Sequence, residues 1–138
     1  MKVVRIGFDV GGVLSKYPEL LRPIVAALLA SEGVEVHVLS DMLPHAKILD
    51  VLARNAITVP PERVHSCDNE AHGELCKAVR SREIGLDVLL DDFPGYVGTV
   101  DAPALRLLTM PDPARPYYAD EWQTDGSEGT FGRRRKAP

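Results

Sequence analysis

The sequence predicts one α/β domain over residues 1–110, in which a parallel sheet of five strands lies between two layers of helices. Short apolar segments typical of buried strands alternate with segments whose apolar residues recur at helical spacing. Strands joined by single helices form right-handed crossovers, which make a parallel sheet with helices on both faces. Three of the apolar segments also end on polar side chains, and ligands bind beyond the carboxyl ends of such strands.

The first strand is predicted in the apolar run VVRIGF, which leads directly to the carboxylate of Asp9. Gly11 and Gly12 follow, so the backbone can turn and approach a ligand with no Cβ in the way. An ordinary strand followed by a Gly-Gly turn fits the same residues. The other strand ends therefore decide whether Asp9 has a function.

Three helices are predicted between the strands. Because proline is best accepted in the first helical turn, we expect the first helix to begin near Pro23 and to end at Gly33. The second opens at Pro44 and ends near Asn55. The third covers 68–85, from a capping aspartate to a terminating glycine.

The four remaining strands are predicted from apolar runs that turn residues interrupt. They are 34–40, which ends on Ser40; the weak segment 63–66; 86–90, which is the clearest and leads to Asp91 and Asp92; and 105–110. Together with the helices they describe a Rossmann-like sandwich of three layers around a central sheet. Asp9, Ser40 and the pair Asp91-Asp92 should meet at one edge of this sheet.

Length, charge and cysteine content exclude several classes of protein. A chain of 138 residues can bury a core without disulfides, and Cys67 and Cys76 are too far apart for a CxxC zinc or redox site. A net charge of −4 gives no electrostatic footprint for nucleic acid. Neither a signal peptide nor a membrane span is predicted, so we expect a soluble, cytoplasmic protein with reduced thiols.

The composition changes at Pro111, where proline, glycine and charged residues become frequent. We expect residues 111–138 to form an extended or partly disordered tail. The basic run RRRK at 133–136 is interpreted as part of this solvated tail.

Over residues 3–110 the chain resembles the haloacid dehalogenase-like superfamily of phosphatases and related enzymes. The family's first motif is an apolar strand followed by Asp-x-Asp-Gly-Thr/Val, and FDVGGV resembles it at Asp9, Gly12 and Val13. The chain departs from the motif at Gly11, where the family has its second Asp.

The other motifs of the family are resembled in the same order. VHVLS ends in Ser40, as the second motif ends in Ser or Thr, and DVLLDD resembles the closing acidic motif. Lys77 resembles the lysine that precedes the fourth strand, with Lys47 as the next candidate. Family members often insert a cap domain between these motifs, but the intervals here leave no room for one. The resemblance therefore implies an open site, suited to a phosphorylated macromolecule or to completion by the tail or a second subunit of a homo-oligomer.

The resemblance implies a Mg²⁺-dependent phosphatase that acts on a phosphorylated substrate. Asp9 would attack phosphorus and form an aspartyl-phosphate, which water then hydrolyses. Ser40 would bind phosphoryl oxygens, and Lys77 would place positive charge on the developing anion. The implied Mg²⁺ ligands are Asp9, the carbonyl of Gly11, Asp92 and, directly or through water, Asp91.

Gly11 puts turnover in doubt, because the family's second Asp protonates the leaving group and then activates water. Asp41, His37 and His45 are candidates for a substitute acid. Three readings remain open: a phosphatase without a cap, a degenerate member that binds phosphate or a partner without turnover, and a phospho-accepting receiver domain. A receiver expects its acidic pair after the first strand and its acceptor after the third, the reverse of the order seen here.

Overall fold

The computed structural model describes residues 2–100 and 104–106, and within them the chain is an α/β protein with a parallel sheet. Neighbouring strands pair in the order β3-β2-β1-β4-β5, and every pairing is parallel. The strands are β1 (Val4–Phe8), β2 (Val34–Ser40), β3 (Val64–Ser66), β4 (Val88–Asp91) and β5 (Ala104–Arg106). The predicted α/β class and parallel sheet are confirmed. Residues 107–110 of the predicted fifth strand and the predicted tail, 111–138, lie outside the described residues.

Five helices connect or follow these strands in the described part of the chain. They are α1 (Pro18–Leu29), α2 (His45–Arg54), α3 (Asn69–His72), α4 (Cys76–Ile84) and α5 (Pro94–Val97). None of the described helices combines the length and the apolar character that a membrane crossing requires.

The first helix begins earlier than predicted, at Pro18, so Pro23 lies inside it. A proline in a helix interior removes one backbone hydrogen bond. The helix continues through it because Leu21 and Val25, on either side of the proline, are buried in the core. Tertiary packing thus outweighs the local preference that places proline in the first turn.

The helix predicted over 68–85 is interrupted. Gly73 has a φ of 58°, in the left-handed region, which ends α3 and leads through a short 3₁₀ turn into α4. The predicted ends hold, because the side chain of Asp68 accepts hydrogen bonds from two backbone N–H groups of α3 and Gly85 ends α4 in the left-handed conformation.

Apolar cores cover both faces of the sheet. Side chains alternate along β2, so Val38 belongs to the core with α1 and α2, whereas Leu39 belongs to the core that contains Cys76 of α4 and Tyr96 of α5. Helices therefore lie on both faces, and the sheet leaves its carboxyl edge to hold the polar residues.

Candidate functional site

The candidate site lies where the carboxyl ends of the two central strands meet. β1 and β4 are neighbours, and the backbone N–H of Asp9 donates to the carbonyl of Leu90 at 2.9 Å. This pairing places Asp9 beside Asp91 and Asp92. An open cavity of about 210 Å³ lies at this edge, lined by Asp9, Gly11, Gly12, Asp41, Met42, Asp92, Phe93 and Tyr96.

The side chain of Lys77 joins the two strand ends. Its Nζ donates to Asp9 Oδ1 at 2.6 Å and to Asp91 Oδ2 at 2.5 Å, and it lies 4.8 Å from the centre of the Tyr96 ring. Lys77 is only 1% exposed. Burial alone would lower its pKa, but the carboxylates of Asp9 and Asp91 raise it above its usual value, so the ammonium stays charged. Lys47, the other candidate, lies exposed on α2.

Three carboxylates converge around this ammonium. Oxygen atoms of Asp9, Asp91 and Asp92 lie within 4.8 Å of one another, and all three residues are buried. Burial and the neighbouring charge of Asp91 raise the pKa of Asp9, against the opposing effect of Lys77. The same two causes raise the pKa of Asp92 to about 6. Because carboxylate oxygens are the ligands that hard cations prefer, this cluster could hold a metal ion.

The Gly-Gly turn makes room for Asp92 at one of its two glycines. Gly12 has a φ of 77°, and a Cβ there would lie 1.8 Å from Asp92 Oδ2. Gly11 differs, because its φ is −65° and a Cβ would meet nothing within 4 Å. The turn therefore requires glycine at Gly12 alone, and a side chain at residue 11 would have space in the cavity.

Ser40 lies at the end of β2, and its hydroxyl accepts a hydrogen bond from the backbone N–H of Met42 at 3.1 Å. The residue is 1% exposed, and its neighbours Asp41 and Met42, rather than Ser40 itself, line the cavity. The structure thus brings Asp9, Lys77, Asp91 and Asp92 into one cluster and leaves Ser40 at its margin.

Of the three candidates for a substitute acid, Asp41 is the one that lines the cavity. The rings of His37 and His65 bond to each other at 3.0 Å, and His45 Nε2 lies 2.7 Å from the carbonyl of Val64. Neither His37 nor His45 lines the cavity.

Sequence reasoning missed Tyr96, which lies on α5 and is 2% exposed. Its hydroxyl donates to Asp41 Oδ2 at 2.8 Å. Pro94, two residues after the acidic pair, is the first residue of α5. The preference of proline for the first helical position is the signal that would have placed a helix, and with it Tyr96, at the site.

Comparisons of the chain with protein-family models, with curated proteins and with solved structures give no match. The candidate site therefore depends on the geometry described above.

Proposed function

We propose that the protein is a Mg²⁺-dependent phosphohydrolase of the haloacid dehalogenase-like type, with a five-stranded Rossmann-like core and no cap domain. The observation that carries the proposal is the buried Lys77, bonded at once to Asp9 and Asp91 beside an open cavity that Asp9 and Asp92 line. Charged groups with shifted pKa values gathered in a cleft are typical of active sites. The absence of any inserted domain between β1 and α4, where the longest element outside the sheet is the 12-residue helix α1, supports an uncapped site.

The proposed reaction starts with Asp9. Lys77 binds Oδ1 and orients the carboxylate, and the other oxygen attacks the phosphorus of a phosphate monoester. The ester P–O bond breaks, and its electron pair leaves with the substrate oxygen. Lys77 offsets part of the negative charge that gathers at phosphorus. Bound Mg²⁺ would supply further positive charge to the phosphoryl oxygens.

The metal ligands proposed are Asp9, Asp92 and the carbonyl of Gly11, with Asp91 acting through water. Both carboxylate oxygens of Asp91 accept hydrogen bonds, Oδ2 from Lys77 and Oδ1 from the backbone N–H of Phe93 at 2.9 Å, and Asp91, unlike Asp9, is not among the residues that line the cavity. Asp92 lines the cavity. Asp91 is therefore better suited to hold Lys77 in place than to bind the ion directly.

Ser40 has a smaller part in this proposal. Its hydroxyl oxygen accepts from Met42, so its own hydrogen remains to be donated to a phosphoryl oxygen. The open cavity suits a phosphorylated group on a larger molecule, and a second copy of the chain or the tail could complete it. Substrates with good leaving groups fit best, because Gly11 supplies no acid to protonate a poor one.

The empty side-chain position at Gly11 favours a second candidate, a protein that binds phosphate or a partner without turnover. In that case the cluster would hold Mg²⁺ and a phosphoryl group but would not hydrolyse it. The receiver interpretation would instead make a long-lived phospho-Asp the product.

Hydrolysis of 4-nitrophenyl phosphate, followed by a panel of phosphorylated metabolites and phosphopeptides, tests the proposal with and without Mg²⁺. Turnover should require Mg²⁺, and Asp9→Asn should abolish it while the fold is retained, since the amide is nearly isosteric but a poor nucleophile. Asp50→Asn is the matched control, because Asp50 lies exposed on α2 and pairs with Arg54 at 3.1 Å. Turnover retained by Asp9→Asn would refute the nucleophile. Phosphate binding without turnover would favour the second candidate, and acetyl phosphate that leaves a stable phospho-Asp would favour a receiver.

A further inference from the structure

The cavity holds one carboxylate that the proposed chemistry has not used. Of the described residues that line it, Asp9 is the proposed nucleophile and Asp92 the proposed metal ligand, which leaves Asp41. Asp41 follows β2, the neighbour of β1, and so reaches the same edge of the sheet as Asp9. Gly11, where a carboxylate would otherwise serve as acid and base, contributes none.

Tyr96 holds Asp41 in one orientation. The Tyr96 hydroxyl donates to Oδ2 at 2.8 Å, and its ring packs edge-to-face on Phe93 with centroids 4.9 Å apart. The backbone N–H of Tyr96 also donates to the carbonyl of Phe93 at 3.1 Å. Because Tyr96 is 2% exposed, the position of its hydroxyl is fixed by packing. A rigid donor on one oxygen orients the carboxylate, and the other oxygen remains able to accept a proton.

The direction of this hydrogen bond bears on which role suits Asp41. Burial and the nearby Asp41 carboxylate raise the pKa of Tyr96, so the phenol keeps its proton and donates it. Asp41 is then the acceptor in this hydrogen bond, and an accepting carboxylate is the form that a base requires. An acid that protonates the leaving group would need the opposite state.

We propose that Asp41, oriented by Tyr96, is the general base that activates water for hydrolysis of the aspartyl-phosphate. The inference depends on the proposed function. The water oxygen bonds to phosphorus, the bond between phosphorus and the Asp9 oxygen breaks, and its electron pair returns to the Asp9 carboxylate. Asp41 takes the proton from water and later releases it to solvent, and the other product is inorganic phosphate. Asp41 thus supplies one of the two functions lost at Gly11, the base, and leaves the acid missing.

Burst kinetics with 4-nitrophenyl phosphate and Mg²⁺ test this assignment, since an activated leaving group needs no acid and the first step is unaffected. Asp41→Asn should keep a burst of about one nitrophenolate per active site, while its steady-state kcat falls by about 10² to 10⁴. Phosphorylated Asp9 should accumulate, and intact-protein mass measurement would detect it. Asp50→Asn should behave like the parent protein. Asp41→Ala should also keep the burst and lose steady-state turnover. Added formate should restore part of its steady-state rate.

The other possible outcomes would contradict either the assignment of Asp41 as the base or the proposed function. An Asp41→Asn variant with unchanged steady-state turnover refutes the base, and so does one that loses the burst together with the turnover, because Asp41 would then act before hydrolysis. If Asp41→Asn does not fold, the test falls to Asp41→Ala. In that variant, a steady-state rate that added formate does not raise would refute Asp41 as the base. A parent protein with neither turnover nor phosphorylated Asp9 refutes the proposed function, and the base with it.

Discussion

Replacement of Gly11 by Asp should restore an acid to the site. A Cβ at Gly11 would meet nothing within 4 Å, and φ is −65° with ψ 127°, so the Cβ of the new residue does not collide and the backbone is not strained. The steric and backbone cost should therefore be no more than about 0.5 kcal/mol, as for most surface substitutions, and repulsion from Asp9 and Asp92, which line the same cavity, adds to it. Gly12 provides the contrast, because a Cβ there would lie 1.8 Å from Asp92 Oδ2 and φ is 77°.

The expected gain is confined to substrates with poor leaving groups. A correctly placed acid should raise turnover of an alkyl phosphate such as glycerol phosphate by up to about 10², at the low end of the range for general acid catalysis. That factor corresponds to about 2.7 kcal/mol of transition-state stabilisation. Activated aryl phosphates should gain much less, because their leaving groups need little protonation. Gly11→Asn is the matched control, since it adds the same volume without an acid.

The measurement is the initial rate of each variant on an alkyl phosphate and on an aryl phosphate. Mg²⁺ affinity and thermal unfolding check that the site and the fold are intact. A folded Gly11→Asp protein that binds Mg²⁺ but shows no gain over Gly11→Asn on any alkyl phosphate would refute the missing-acid explanation. The candidate that binds phosphate without turnover would then be favoured.

Three further predictions concern charge and protons. Lys77→Met leaves Asp9 and Asp91 buried without their cation, so urea unfolding at pH 7 should show a loss of about 3–5 kcal/mol, and an unchanged midpoint would contradict the pairing. Asp92→Asn should weaken Mg²⁺ binding more than Asp91→Asn does; calorimetric titration with the opposite order would reverse the ligand assignment. Burial, together with His37 and Arg80, lowers the pKa of His65 to about 4. The unfolded chain therefore binds a proton at this residue more readily than the folded protein does between about pH 6.5 and 4. The free energy of unfolding should fall as the pH falls through that window. His65→Gln should flatten this part of the profile in melts at several pH values, and a profile unchanged by the substitution would contradict the assignment.

The site residues that could be predicted from the sequence are those that directly follow a strand in the chain. Asp9 and Asp91-Asp92 follow apolar runs, and strand pairing of β1 with β4 then makes them neighbours. Structural details that depend on backbone angles and on packing cannot be predicted from the sequence alone. The positive φ of Gly73 divides the predicted helix in two. Gly11 and Gly12 have different φ values although both residues are glycine.

Tertiary packing sets a second limit on what the sequence predicts. Pro23 lies inside a helix because Leu21 and Val25 are buried around it. Tyr96 reaches the cavity through a helix of four residues, which is too short for apolar periodicity to reveal. The partnership between Tyr96 and Asp41 joins two segments far apart in the chain, and no local pattern specifies it.

The location of the buried charges is itself an argument for function. In the described part of the chain, the buried Asp and Lys side chains are Asp9, Lys77, Asp91 and Asp92, and all four belong to one cluster. Removing charges from water costs several kcal/mol each, and apolar replacements of buried ion pairs are often as stable or more so. A fold selected for stability alone would have no reason to gather its buried carboxylates at one end of the sheet, where burial and the charge of Asp91 raise the pKa values of Asp9 and Asp92. A site that must offer negative oxygens to a cation, and a fixed ammonium to an anion, requires this arrangement.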